Sequence, residues 1–115
     1  MEELYTKMKE YLKMDTEISY QEFAEYYEKV MKYLQSDFQK MDKDENIKAK
    51  FILSIVSNNA ATRAKRKDSE MKKYKKHQEK CAFWEKAIDY HLTNEGMSKQ
   101  EIDEAVGKLS EEDGE

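Results

Sequence analysis

IKAKFILSIVSNNAA, residues 47–61, sets the architecture: Ile47, Phe51, Ile52, Leu53, Ile55 and Val56 cover most of a helical circumference instead of one stripe. A helix apolar nearly all round belongs at the centre of a core or in an oligomer interface. Upstream, Asp42-Lys43-Asp44 ends the preceding segment, with Asp44 the expected cap of a helix starting near Glu45. Downstream, neither Gly nor Pro occurs from Glu45 to Glu95. One helix of up to about 50 residues, roughly 75 Å long, is therefore permitted. Short polar side chains at Ser57-Asn58-Asn59 or Asp68-Ser69 offer places to cap, so a bend or break is expected in one of them.

Further out, two helix starts are written in full. Ser19-Tyr20-Gln21-Glu22 is a capping box with Ile18 and Phe23 as its apolar staple, and Ser98-Lys99-Gln100-Glu101 repeats the device with Met97 and Ile102. Gly96 suits the left-handed position that closes the helix before it. A first helix from about Glu2 to Met14 groups Leu4, Met8, Tyr11 and Leu12. A second carries Phe23, Tyr26, Tyr27, Val30, Leu34, Phe38 and Met41 at helical spacing. The last runs from Lys99 to about Leu109 on Ile102, Ala105, Val106 and Leu109. The predicted fold class is all-α, a small helical bundle of four or five helices with a long basic helix: one domain over 1–109 and a frayed acidic tail over 110–115.

Composition supports this reading. Three Gly and no Pro leave little punctuation for sheets, while eight Tyr, four Phe, one Trp and seven Met argue against a disordered chain. The core must be small or shared, since 40% of residues are charged. A homodimer or a partner-bound state follows as an expectation from the apolar circumference of residues 47–61. Cys81 is the single cysteine, no apolar run follows Glu2 and Glu3, and the longest apolar stretch is Phe51-Ile52-Leu53. These features point to a cytoplasmic protein without a membrane span or secretory signal.

Charge is segregated along the chain. Residues 63–80, RAKRKDSEMKKYKKHQEK, hold nine Lys/Arg against three acids in a protein of formal charge −4. With Met71, Tyr74, Gln78 and Cys81 facing inward, all of those basic residues except Lys67 point outward, as phosphate contact or a solvated face would have them. Arg63, Lys65, Arg66, Lys72, Lys73, Lys76 and Lys80 are the candidate polyanion-binding residues. Tyr26, Tyr27, Tyr33 and Trp84 are the candidate protein-interface anchors, because Tyr and Trp are favoured at interfaces. The apolar positions Ala64, Met71, Tyr74, Cys81, Ile88 and Leu92 make an imperfect seven-residue seam, interrupted by Lys67, Gln78 and Glu85.

Signatures of chemistry are lacking. Asp42 to Asn46 opens like a calcium-binding loop, but Ile47 stands where glycine must turn and Leu53 where the closing glutamate belongs. His77 and Cys81, one turn apart with His91 remote, make at most one edge of a metal site. Glu22, Glu25 and Glu28 lie opposite an apolar stripe, as solvated residues do, and no nucleophile motif or glycine-rich phosphate loop occurs. A non-catalytic protein without cofactor or metal is expected, acting by binding a protein partner in a regulatory or inhibitory way. The alternative is a nucleic-acid-binding accessory protein using the basic segment 63–80.

The segment Lys80 to Val106, KCAFWEKAIDYHLTNEGMSKQEIDEAV, resembles small uncharacterised helical proteins of phages and prophages of Gram-positive bacteria. The likeness rests on an aromatic-rich helix followed by the Gly-Met-Ser cap. It implies an accessory role in which the protein modulates a host or phage protein by occupying its surface.

Overall fold

Local capping starts three helices. In a computed structural model that describes residues 1–113, Ser19 Oγ accepts the Glu22 N–H at 3.1 Å and opens α2 (Tyr20–Asp37). Ser98 and Glu101 make both halves of their box, at 3.1 and 3.0 Å, and open α5 (Lys99–Asp113). These bonds hold the Glu101 carboxyl below the usual carboxylate range. The cap of α3 (Lys43–Ala64) is Asp42, whose Oδ1 accepts the Glu45 N–H at 2.8 Å, so the helix starts two residues before the expected Glu45 and Asp44 lies inside it. Asp42 wins because an N-cap oxygen must reach an N–H three residues on, inside the first turn.

The remaining helices are α1 (Glu2–Leu12) and α4 (Met71–Asn94), and a 3-10 turn, Phe38–Lys40, follows α2. All regular structure among the described residues is helical. No helix among them is long and apolar enough to cross a membrane. α4 ends on a Schellman motif: Gly96 takes φ +103°, Met97 N–H reaches Leu92 O at 3.0 Å, and Gly96 N–H reaches Thr93 O at 3.0 Å. α5 continues to Asp113, past Leu109, so 110–113 are helical where a frayed tail was expected; Gly114 and Glu115 lie outside the described residues.

The break expected between residues 45 and 95 falls at 65–70, and Ser57, Asn58 and Asn59 stay within α3. Lys67 takes the left-handed conformation (φ 54°) that reverses the chain, and Asp68 Oδ1 accepts the Glu70 N–H at 2.9 Å to lead into α4. The basic segment is thus the end of one helix, a turn and the start of another.

α3 is the central helix. Ala49, Ile52, Leu53 and Ala60 are completely buried, chiefly against α4, with α1 and α5 on its other sides. The chain itself therefore covers the apolar circumference that motivated the homodimer, and that argument for a second copy falls away. α2 closes the bundle with aromatic side chains: Phe23 meets Tyr74 edge-on at 5.5 Å, and Tyr27 stacks on His77 at 3.9 Å. Polar ties fix the register between elements. Tyr26 Oη donates to Leu4 O and Tyr33 Oη to Glu45 Oε2, both at 2.6 Å, while the buried Asn46 Nδ2 holds Met41 O and Asp42 O at 3.2 and 2.9 Å.

Candidate binding face on the fourth helix

The residues singled out by charge divide into two groups. Arg63 is buried at 3% exposure: Nη2 donates to Ile18 O at 2.8 Å, Nη1 to Tyr74 Oη at 3.2 Å, and the guanidinium carbon stands 4.6 Å from the Phe23 ring centre. Arg66 is exposed, yet it makes a bidentate pair with Glu17, one arm at 2.7 Å. Hydrogen bonding from Arg66 is the main reason the Glu17 carboxyl lies below its ordinary range. Both arginines thus clasp the linker between α1 and α2, and Arg63 is withdrawn from the polyanion-binding set. Lys65, Lys72, Lys76 and Lys80 are exposed as expected. Lys73 is exposed too, but pairs with Glu70 at 3.2 Å and lies over the Tyr20 ring.

The tyrosine anchors are corrected in the same way. Tyr26 and Tyr27 are core residues, 5% and 3% exposed, because their stripe is the one α2 turns inward. Tyr33 is half-buried and tied to Glu45. Trp84 is half-buried, its ring 5.4 Å from Phe38. The exposed aromatics are Phe83 and Tyr90, at 64% and 72%. They lie seven residues apart, each two residues on from the buried seam positions Cys81 and Ile88 and so on the opposite side of the helix.

The outer face of α4 is therefore a continuous feature. Lys76, Lys80, Phe83, Ala87 and Tyr90 follow one another at helical spacing over about 21 Å. Lys72, Lys75 and Lys86 are also exposed on this helix, with Glu79 its one fully exposed acid. Phe83 braces edge-on against Trp84 at 5.4 Å, so its ring is presented by a packed neighbour. Lys72 and Lys73, in the first turn of α4, stand at the positive end of the helix dipole, where an unpaired cation costs about 0.3–1 kcal/mol. Helix stability therefore does not explain their placement.

The groups considered for chemistry have structural roles. Cys81 is completely buried, and burial first, with Glu85 adding, pushes its thiol up to about 12, which leaves an inert thiol. His77 is stacked between Tyr27 and Phe23. His91 Nε2 faces Glu95 at 2.7 Å. The described residues contain no cluster of three potential metal ligands. Glu22, Glu25 and Glu28 are exposed on the outer side of α2.

Fold and face together define a class, a five-helix bundle with one cationic, aromatic-bearing outer helix. No protein-family model matches the chain, and comparison with curated proteins and with solved structures gives no match.

Proposed function

We propose that the protein is a non-catalytic accessory protein that binds an acidic protein partner through the outer face of α4 and regulates or inhibits it by covering its surface. The observation that carries this reading is the row of exposed lysines running into the exposed rings of Phe83 and Tyr90. Exposed aromatics supply the anchors that most interface energy rests on, and the lysines supply steering and register. A cytoplasmic setting fits the free, buried Cys81, and the likeness of residues 80–106 to phage proteins fits an accessory role.

A nucleic-acid partner is the second reading, favoured by the same lysines. It is the weaker one because both arginines of the segment are engaged within the fold, which leaves Lys65, Lys72, Lys73, Lys76 and Lys80 as phosphate contacts. The test is capture from bacterial lysate with and without nuclease, comparing the native chain with Phe83→Ser/Tyr90→Ser and with Lys72→Glu/Lys76→Glu. A partner retained after nuclease and lost in both variants is the expected result. Loss on nuclease treatment, with salt-steep anisotropy changes on DNA or RNA, would replace the protein partner by nucleic acid. Lys72 and Lys76 are exposed, and reversal at Lys72, in the first turn of α4, favours the helix dipole, so those variants should keep the native circular-dichroism signal, which separates lost binding from unfolding.

A further inference from the structure

The outer face of α4 has a shape as well as a charge. Residues at i, i+3, i+4 and i+7 of a helix surround a depression, and a side chain of a facing helix fits into it where the pattern repeats every seven residues. Phe83, Lys86, Ala87 and Tyr90 make one such depression. Both rings are exposed, and the half-buried Ala87 is the small floor between them. Lys86 offers its apolar stem on the remaining side. Trp84 braces the Phe83 ring edge-on at 5.4 Å, so that wall stands before anything docks.

One heptad toward the N-terminus, Lys76, Glu79, Lys80 and Phe83 make the next depression, all four exposed. It sets two cations against one carboxylate and is continued by the exposed Lys72. An acidic side chain is complementary to it, as an apolar one is to the first. The modes of peptide recognition separate on the same face. An added strand needs an open sheet edge, whereas all regular structure among the described residues is helical. A proline-rich segment needs a groove lined by rings, whereas Phe83 and Tyr90 follow each other along a helix crest, about 10 Å apart in rise. A facing helix matches their seven-residue spacing directly.

We propose that the α4 face docks one amphipathic helix of an acidic partner: a large apolar side chain enters between Phe83 and Tyr90 and, one heptad away on the same stripe, a carboxylate enters between Lys76 and Lys80. This rests on the acidic-partner reading and adds the secondary structure and register of what binds. Charge complementarity selects the occupant, since Glu79 is the one fully exposed acid among the lysines of α4 in a chain of formal charge −4.

The probes are two fluorescein-labelled peptides of three heptads, with leucine at the stripe positions of one half and glutamate at those of the other. The glutamate half comes first in one and last in the other, which covers both directions of docking. Anisotropy against the full chain should show at least one of them saturating at one per chain and gaining helical circular-dichroism signal as it binds. Lysine in place of the glutamates should weaken it at least about tenfold, and Lys76→Glu/Lys80→Glu should reverse that preference. Ala87→Gln, which fills the floor between the rings, should weaken it by at least about tenfold while the chain keeps its own circular-dichroism signal. Should that variant not fold, the charge exchange decides alone. Unchanged affinity in a folded Ala87→Gln overturns the proposal, as does silence of both peptides at millimolar concentration. Binding that survives a proline at mid-peptide overturns it too, because the helical stripe is then broken. A protein partner captured from lysate while both peptides stay silent would remove the helix and leave the acidic-partner reading standing; absence of both removes that reading as well.

Discussion

His77 shows how one residue carries both packing and pH dependence. Its ring is buried, 3.9 Å from that of Tyr27 and 5.8 Å from that of Phe23. Burial is the main reason its pKa falls below 6.5; the Glu28 charge opposes the fall and that of Lys80 assists it. A base whose folded pKa is depressed binds more protons when unfolded. Its neutral form therefore contributes fully above about pH 6.5, and stability is lost as pH drops from there toward the folded value. Urea midpoints measured at about pH 7.5 and about pH 5.5 should show a loss in the native chain that His77→Phe reduces, because phenylalanine keeps the stack and cannot charge. An equal loss in both proteins would place the titration elsewhere. Arg63 teaches a different lesson at the same scale. Its charge is plain in the sequence, but its burial depends on the α1–α2 linker arriving within reach of α3, and no spacing rule near residue 63 encodes that meeting.

At the scale of elements, signals complete within four or five residues were readable and those needing a partner were not. The Ser19 cap, the full Ser98–Glu101 box and the Gly96 stop use neighbours in sequence, so the starts of α2 and α5 and the end of α4 were legible. The α3–α4 break was legible only as a possibility, because Lys67 adopts its left-handed conformation with a side chain that disfavours it. A non-glycine residue there carries strain of about 1 kcal/mol or more, and glycine gives back part of the relief through the freedom it adds to the unfolded chain. Lys67→Gly should therefore raise stability by about 0.5 kcal/mol, and Lys67→Ile should lower it by about 2 kcal/mol. Chemical denaturation of the two variants checks this pair. A neutral isoleucine would show that the turn relaxes to another shape. The exposed face of α4 was half legible: its lysines announced themselves, whereas Phe83 and Tyr90 stand out only when the seam through Cys81 and Ile88 is followed to its opposite side.

For the whole molecule, the question is what is left over once the five helices have packed. The Cα radius of gyration, 14.0 Å, is near the roughly 13 Å of a compact chain of this length. Every apolar side of α3 is used within the chain. The large apolar side chains exposed among the described residues are Leu12, Met14, Phe83 and Tyr90, two on α4 and two at the end of α1. A stable homodimer usually buries about 800 Å² on each subunit. The α4 row provides the aromatic anchors for such an area, but two copies paired across it bring only Glu79 from each side to offset the exposed lysines of α4, and like charges left in a closing interface cost several kcal/mol. The face suits a partner of opposite charge better than a second copy of itself. Light scattering on a gel-filtered sample at tens of micromolar should accordingly give a mass near 13.8 kDa, with no rise on dilution of salt. A mass of twice that value, falling to the monomer in Phe83→Ser/Tyr90→Ser, would mean that the lysines find acids on the neighbouring copy and that the chain is its own partner.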